Sequence, residues 1–222
     1  SDYSSTTELL ESIEDLGERM SEEGTVLLKN ENNALPLSKD ETQKLSLLGF
    51  SSYYPVQGGD MGSSLSVNKG TDADTVDFVE ALNAKGFSIN EDLQKLYKSL
   101  EADFKTEVNM WGNIMEYYHI TAPATDGVFA SKEPSQEKMD SVDDKWKDSM
   151  DGVDASQDLN QTDPLGLSDD ERDLINAAVE AKENNGGKVI VMLNNANAME
   201  IDEIKNNDGV DAIMEIGFPG GY

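Results

Sequence analysis

A short apolar run late in the sequence is the feature that most narrows the possible folds. Val189 to Leu193 are five consecutive apolar residues, entered from Gly186-Gly187 and left through Asn194-Asn195. A run of this length between turn-forming residues predicts a strand that is buried on both faces. A helical pattern precedes the run, and a second apolar run, Val210 to Ile216, follows it. This order of helix, strand, helix, strand predicts parallel pairing of the two runs and an α/β fold.

We expect residues 1–222 to form a single three-layer α/β/α sandwich with a mostly parallel sheet. A loop-rich, acidic insertion with few apolar residues is expected at about 121–166. The Pro219-Gly220-Gly221 turn follows the last predicted strand, where a covering helix would normally begin. We therefore expect an incomplete sheet and a sequence that is a fragment of a longer protein.

The candidate binding site lies where the predicted strands end, because ligands of α/β sheets collect at the carboxyl ends of their strands. Leu45 to Phe50 predicts a further strand, and the loop after it is rich in glycine and hydroxyl residues. That composition lets the backbone approach a polar ligand closely. The asparagine-rich turn at 194–197 is expected on the same rim. The candidate substrate-binding residues in the loop are Gly58, Gly59, Asp60, Ser63 and Ser64.

The composition of this loop is also compatible with a phosphate loop or with a plain surface loop. A phosphate loop is disfavoured, because the Gly-Lys-Ser/Thr ending and the Gly-x-Gly-x-x-Gly spacing are absent and Asp60 would repel phosphate. A neutral polyhydroxyl ligand fits the composition better. A plain surface loop without a ligand remains the alternative.

The charge of the chain limits its partners. The sequence has 17 Lys and Arg against 45 Asp and Glu, a net charge of −28, which repels nucleic acid and anionic lipid. It has no Cys, so disulfides, thiolate metal sites and a cysteine nucleophile are excluded. The single histidine, His119, is expected to be a polar residue on a partly buried segment and not a catalytic group.

Helix signals recur along the chain. Ser5 to Glu8 has the spacing of a capping box and predicts a helix over about 6–22, with Gly24 ending it in a left-handed conformation. Further helix starts are predicted at Thr71 to Asp74, at Asn90 and at Ser168 to Glu171. The apolar stripe of the first helix consists of Leu9, Leu10, Ile13, Leu16 and Met20.

Assembled in order, these segments resemble the (α/β)6-sandwich domain of glycoside hydrolase family 3, the family of β-glucosidases and β-xylosidases. The stretch from Glu23 to Leu37 is similar to the family's Glu-Gly-x-Val-Leu-Leu-Lys-Asn motif. The further matching segments are Gly58 to Ser63, Leu167 to Ile175, Lys188 to Glu200 and Gly217 to Tyr222.

The resemblance implies a retaining hydrolase of terminal β-D-glycosidic bonds. Its aspartate nucleophile would lie on a separate barrel domain, and the sandwich domain often supplies the acid/base carboxylate. Retaining enzymes hold the two carboxyl groups about 5–5.5 Å apart. This chain contains no barrel pattern, so we expect it to be inactive by itself.

One departure from the family bears on catalysis. Family members carry a buried strand ending in Gly-Glu before the segment that matches Asp151 to Ser156, where this sequence has Lys145 to Met150 with no apolar run. No catalytic residue is therefore assigned, and Glu200 and Glu215 are expected to serve capping or solvation.

The expected partners are a β-glucoside or β-xyloside together with the barrel domain, with no nucleic acid, no membrane contact, no metal and no cofactor. The alternative is a non-catalytic relative that acts as a protein-interaction or structural domain. A flavodoxin-like nucleotide or flavin binder is disfavoured because no phosphate fingerprint is present. A cytoplasmic location stays open, with an extracellular or cell-surface one favoured.

Overall fold

The computed structural model describes residues 3–40, 42, 44–54, 76–99, 106–110, 113–117, 165–167, 169–195 and 198–217. The helices are α1 (Thr6–Gly24), α2 (Phe78–Ala84), α3 (Glu91–Ser99), α4 (Asp169–Asn185) and α5 (Asp202–Lys205), with a short 3-10 helix at Phe50–Ser52. The strands are β1 (Val26–Asn30), β2 (Lys44–Leu45), β3 (Ser88–Ile89), β4 (Thr106–Met110), β5 (Asn113–Tyr117), β6 (Ile190–Leu193) and β7 (Ala212–Glu215). Mixed helices and strands confirm the predicted α/β class.

Three strands form the sheet on which the main core is built, in the order β1-β7-β6. β6 and β7 are parallel, with Ile190 opposite Ala212 and Leu193 opposite Glu215. β1 pairs with the other side of β7 in the antiparallel direction, and its register shifts between Leu27 and Lys29. The predicted parallel pairing of the two apolar runs is confirmed.

The main core lies on one face of this sheet. Leu193 and Ile213 pack there with Ala178 of α4 and with Ile204 of α5. Each buried aliphatic side chain of this kind contributes roughly 1.5–3 kcal/mol to the free energy of unfolding. Met192 points to the opposite face, because successive side chains of a strand alternate, and it is exposed. The prediction that this strand is buried on both faces is therefore wrong at Met192.

A second pair of strands lies beside a smaller core. β2 and β3 are parallel, with Lys44 opposite Ser88 and Leu45 opposite Ile89. Ile89 packs there against Val79 of α2 and Tyr97 of α3. Leu48, just beyond β2, packs against the cluster that holds Leu93 and also against the main core, so the two halves of the domain meet at this side chain.

The strand predicted from Leu45 to Phe50 is much shorter than expected. Only Lys44–Leu45 of this segment forms a strand, and it pairs with β3, not with β6 or β7. Gly49 has φ +87 and turns the chain into the 3-10 helix. The Ser52 hydroxyl then donates to the Leu48 carbonyl at 2.6 Å, which stabilises this turn.

The predicted helix start at Ser5 is confirmed, since the Ser5 hydroxyl accepts from the Glu8 amide at 3.1 Å. The predicted left-handed ending at Gly24 is wrong. Gly24 is the last helical residue, and Thr25 follows in an extended conformation, with φ −68 and ψ 127. The chain enters β1 at once, and both the amide and the hydroxyl of Thr25 donate to the Ser21 carbonyl.

Two other elements differ from the expectation. The cap of α2 is Asp77, whose carboxylate accepts from the Glu80 amide at 2.7 Å, while the predicted start at Thr71 to Asp74 lies outside the described residues. The antiparallel hairpin of β4 and β5, with Val108 opposite Met115, was not predicted. Its sequence lacks a strong two-residue turn signal such as Asn-Gly or Asp-Gly between the strands.

Candidate functional site

The carboxyl ends of β6 and β7 lie together, as the parallel pairing requires. The Asn194 side-chain amide, directly after β6, donates to the Gly217 carbonyl, just after β7, at 2.6 Å. Gly217 has φ +58, a left-handed conformation that favours glycine. This hydrogen bond fixes the two strand exits to each other and forms one part of the candidate rim. Residues 196 and 197 of the predicted asparagine-rich turn lie outside the described residues.

A second polar junction ties together the exits of β2 and β3. Asn90 is fully buried after β3, and its amide nitrogen donates to the Ser46 hydroxyl at 3.2 Å. Its side-chain oxygen accepts from the Asp92 and Leu93 amides and so caps α3. The cap predicted at Asn90 is confirmed, and the same residue also links the two strand ends.

Two tyrosines pack together, Tyr53 from the segment that leads into the candidate loop and Tyr97 from α3. The rings of Tyr53 and Tyr97 are stacked with centroids 5.0 Å apart. The Tyr97 hydroxyl accepts from the Gly49 amide at 2.9 Å, and the Tyr53 hydroxyl donates to the Leu47 carbonyl at 3.0 Å. Burial raises the pKa of the Tyr53 phenol, so this hydroxyl remains a donor.

The pairing of these two rings was not foreseen from the sequence. Tyr97 lies on the buried side of α3, together with Leu93 and Leu96. A tyrosine on a buried stripe does need a hydrogen-bond partner for its hydroxyl, which is the one signal that the sequence carried. The pair holds the segment that leads into the candidate loop.

The candidate loop residues themselves, Gly58, Gly59, Asp60, Ser63 and Ser64, lie outside the described residues. The same is true of His119 and of Lys145 to Met150. Their placement on the rim therefore stays a prediction.

Among the described residues, the buried carboxylate is that of Asp211, and its oxygens already accept hydrogen bonds. Asp211 accepts from the Lys182 ammonium and from the Val189 amide, each at 2.8 Å. Lys182 also donates to the Gly209 carbonyl at 2.9 Å. This network joins α4 to the starts of β6 and β7, at the opposite end of the strands from the rim. Asp211 is therefore a structural residue.

Other carboxylates of the described residues also have structural or solvent-facing positions. Arg172 binds both Glu203 and Asp169, and its hydrogen bond to Glu203 raises the pKa of the guanidinium. Glu200 is exposed, and its backbone amide donates to the Leu165 carbonyl. Glu215 lies in β7 opposite Val26.

The described ranges contain neither a candidate metal site nor a candidate membrane span. No group of three or more His, Cys, Asp or Glu side chains there could hold a metal ion. None of the helices in the same ranges is long and apolar enough to span a membrane.

The motif from Glu23 to Leu37 has a clear structural role. The buried Lys29 ammonium donates to the Lys205 and Asn207 carbonyls, at 3.1 and 2.8 Å, where α5 ends. A cation at this position satisfies free carbonyls and complements the helix dipole. The Asn30 side chain both donates to and accepts from the Leu35 backbone, which closes the loop after β1. The motif thus joins β1 to the rest of the fold.

Solved structures with a similar fold are β-glucosidases. β-Glucosidase 3B from Thermotoga neapolitana in complex with glucose aligns with a TM-score of 0.62 and 23% identity, over 96% of this chain and 28% of that one. A β-glucosidase from Paenibacillus barengoltzii aligns with a TM-score of 0.57 and 20% identity, over 93% of this chain and 21% of that one. This chain thus spans less than a third of the length of either relative.

None of the curated proteins compared with the chain matches it significantly. The family model described as the glycosyl hydrolase family 3 C-terminal domain matches residues 25–221, which include the motif around Lys29, both core strands and the candidate loop. The chain therefore belongs to glycosyl hydrolase family 3, as a C-terminal domain of that family.

Proposed function

We propose that this chain is the non-barrel domain of a β-glucosidase-type enzyme that hydrolyses terminal β-D-glycosidic bonds with retention. The observation that carries the proposal is the family match over residues 25–221. The similar folds of β-glucosidases from Thermotoga neapolitana and Paenibacillus barengoltzii support it. The whole chain, residues 1–222, acts as one domain of that enzyme.

The domain contributes rim loops to a sugar site whose centre lies on a separate catalytic barrel. Asn194 and Gly217 hold the exits of β6 and β7 together, and Tyr97 holds the exit of β2 through Gly49. Fixed strand exits support a rigid rim, which a sugar site needs because misplaced hydrogen-bonding groups lose affinity. The stacked tyrosines support this role for the segment that leads into residues 58–64.

Within that loop, Asp60, Ser63 and Ser64 offer hydrogen bonds to sugar hydroxyls, and Gly58 and Gly59 allow close backbone approach. Carbohydrates expose many hydroxyl groups and carry no charge, so this set suits them better than it suits phosphate. The substrate is a β-glucoside or β-xyloside.

The nucleophile lies on the barrel in this proposal, so the isolated chain does not hydrolyse glycosides. The buried Asp211 supports that view, since it is held by Lys182 and Val189 and is not available for proton transfer. The location of the acid/base carboxylate is not assigned to a residue of this chain.

The loop proposal is tested in the full-length parent protein by steady-state hydrolysis of an aryl β-glucoside. Asp60→Ala should raise KM by about tenfold or more, because removing the partner of a hydrogen-bonded hydroxyl costs roughly 1–3 kcal/mol. Ser38→Ala, at a serine 22 residues before Asp60, is the control and should leave KM unchanged. An unchanged KM in Asp60→Ala would remove Asp60 from the sugar site.

Retention is tested by proton NMR of the first product formed. A retaining enzyme releases the β-anomer of glucose first, because the covalent intermediate is hydrolysed with a second inversion. Initial release of the α-anomer would contradict the retaining mechanism.

A second candidate function rests on one specific observation. By the resemblance, Lys145 to Met150 stand where family members usually carry a buried strand ending in Gly-Glu, and this segment has no apolar run. A domain without that carboxylate fits a non-catalytic relative that serves protein interaction or structure. A full-length parent that has an intact barrel with its aspartate and yet hydrolyses no aryl β-glycoside would favour this alternative.

A further inference from the structure

The sequence contains a single Asn-Gly pair, Asn185-Gly186, and it lies where α4 ends and the chain turns toward β6. Both residues are exposed. Gly186 has φ +75, and a Cβ atom at Gly186 or at Gly187 would meet no atom within 4 Å. Water therefore reaches this pair, and no side chain hinders the approach of the Gly186 backbone nitrogen to the Asn185 side chain.

This pair can undergo deamidation. Hydroxide removes the amide proton of Gly186, and the nitrogen attacks Cγ of Asn185 to close a five-membered succinimide ring. The bond between Cγ and Nδ2 breaks, and Nδ2 takes up a proton from water and leaves as ammonia. Water then opens the ring at either carbonyl, which gives aspartate or isoaspartate. The sum is asparagine plus water to a carboxylic acid plus ammonia, with no oxidant or reductant.

Both reacting groups are restrained in the folded chain. The Gly186 amide donates to the Lys182 carbonyl at 2.7 Å, and the Asn185 side-chain nitrogen donates to the Ala181 carbonyl at 3.0 Å. The first hydrogen bond holds the proton that must be removed, and the second holds the nitrogen that must leave as ammonia. The last turn of α4 therefore has to open before the ring can close.

The side chain of Lys182 holds this turn against the sheet. Its ammonium donates to the Gly209 carbonyl at 2.9 Å and to the Asp211 carboxylate at 2.8 Å. Asp211 also accepts from the Val189 amide at 2.8 Å. We call Lys182, Val189, Gly209 and Asp211 the α4 junction. Because breaking a largely buried ion pair is costly, the junction keeps the last turn closed.

We infer that Asn185 is a deamidation site and that the α4 junction sets the rate at which it reacts. The product weakens the turn that restrained it. A carboxylate at this residue cannot donate to the Ala181 carbonyl, and it puts negative charge at the C-terminal end of a helix, where that sign is unfavourable. The modification accumulates with the age of the protein and loosens the end of α4. The inference is independent of the proposed glycosidase function, since it uses contacts within this chain alone.

The site is tested in the full-length parent protein, incubated in mildly alkaline buffer both folded and in urea. Peptide mapping by mass spectrometry assigns the deamidated residue. In urea, Asn185 should react at least about tenfold faster than Asn184, which is followed by asparagine and not by glycine. Equal rates at the two residues would overturn the inference.

The folded sample tests the restraint. Asn185 should still react faster than Asn184 there, but at least about tenfold more slowly than in urea, because the turn is open for only part of the time. A folded rate for Asn185 that equals its rate in urea, or that is no higher than the rate of Asn184, would overturn the inference.

Asp211→Asn tests the α4 junction. It keeps the size of the side chain and removes the charge that holds Lys182, so deamidation of Asn185 in the folded parent should be about fivefold faster or more. Val79→Ala, in the smaller core, is the control for a general loss of stability and should change the rate by less than about twofold. Equal acceleration by both variants would make global unfolding the route and would overturn the inference.

If Asp211→Asn fails to fold, hydrogen exchange of the wild-type parent decides. The Gly186 amide is bonded to Lys182 and the Val189 amide to Asp211, so both depend on the junction. Each should exchange at least about tenfold more slowly than in the unfolded parent. A Gly186 amide that exchanges as fast as in the unfolded parent would overturn the inference.

Asn185→Asp imitates the aspartate product. It should speed the exchange of the Gly186 amide by about threefold, because it adds charge at the helix end and removes the hydrogen bond to the Ala181 carbonyl. Asn184→Asp adds the same charge one residue earlier and should have a smaller effect. Exchange that is no faster in Asn185→Asp than in Asn184→Asp would overturn the inferred loosening of α4.

Discussion

The ion pair of Lys182 and Asp211 is largely buried, with side chains that are 22% and 7% exposed. Asp211 is 5% exposed and accepts at 2.8 Å from both Lys182 and the Val189 amide. Asp211→Ala would leave the Lys182 ammonium and the Val189 amide without this partner. We expect the free energy of unfolding to fall by about 3 kcal/mol or more, measured by urea denaturation.

The matched control for Asp211→Ala is the exposed ion pair of α3. Lys95 lies 3.7 Å from Glu91 and 3.5 Å from Asp92, and all three side chains are well exposed. Lys95→Ala should change the free energy of unfolding by less than about 0.5 kcal/mol, because solvent screens such pairs. Equal effects of the two substitutions would contradict a structural role for Asp211.

We expect the folded protein to lose stability in alkaline solution because of the buried phenol of Tyr53. Its buried phenol has a raised pKa, above the ordinary 10.0. The unfolded state therefore loses this proton at lower pH than the folded state does. The contribution of Tyr53 to the free energy of unfolding is fully present below about pH 10 and declines as the pH rises above it. Urea denaturation at pH 8 and pH 11 measures the decline, which should be smaller in Tyr53→Phe. Tyr3→Phe, at an exposed ring, is the control. If stability declines between pH 8 and pH 11 as much in Tyr53→Phe as in the wild type, Tyr53 is not the cause of the decline.

The sequence predicted the roles of residues that act on their immediate neighbours in the chain. It did not predict contacts between residues that are far apart in the chain. Ser5 and Asn90 cap helices that begin next to them, so spacing alone predicted both roles. Lys182 and Asp211 are 29 residues apart, and only the packing of α4 on the sheet brings them together. No short-range pattern indicates such a pair.

At the scale of elements, Gly209 controls how the start of β7 approaches α4. A Cβ atom at Gly209 would overlap the methyl groups of Val179. Gly209→Ala should lower the free energy of unfolding by about 1–3 kcal/mol, because a well-packed contact cannot accept an added methyl without shifts. Urea denaturation measures this loss.

Gly24→Ala is the control for the same chemical change. No atom lies within 4 Å of a Cβ atom at Gly24, and this residue is the last of α1. The substitution should be neutral or stabilise by up to about 1 kcal/mol, since alanine is the better helix former. A Gly209→Ala protein as stable as Gly24→Ala would contradict the close approach of the turn to α4.

The spacing of apolar residues predicted where helices and strands lie better than it predicted which of their faces are buried. It predicted a first helix over about 6–22, and the structure has Thr6–Gly24. It could not show that Leu10, Leu16 and Met20 would lie in solvent, because a stripe indicates that a face needs a partner and does not say which one. The burial of Met192 was likewise overestimated, since an apolar run does not reveal whether both faces of a sheet are covered.

At the scale of the whole molecule, the family could be predicted because its motif has a fixed structural task. Lys29 closes the end of α5 and Asn30 closes the following loop, and both tasks require those residue types. The composition of the loop that holds Asp60 and Ser63 indicated a polyhydroxyl ligand, and only the resemblance indicated that this ligand is a glycoside. In the proposed function another domain completes the sugar cleft, and no pattern within these 222 residues encodes the shape of such a cleft.

The central claim is that this domain and a catalytic barrel make one glycosidase between them. It is tested most directly by hydrolysis of an aryl β-glucoside, measured side by side on the full-length parent, on this chain, and on the parent lacking this chain. We expect the parent to be active and each part alone to be inactive, because a rim and a barrel that are separated cannot hold the substrate in place. Full activity of the parent without this domain would contradict the account.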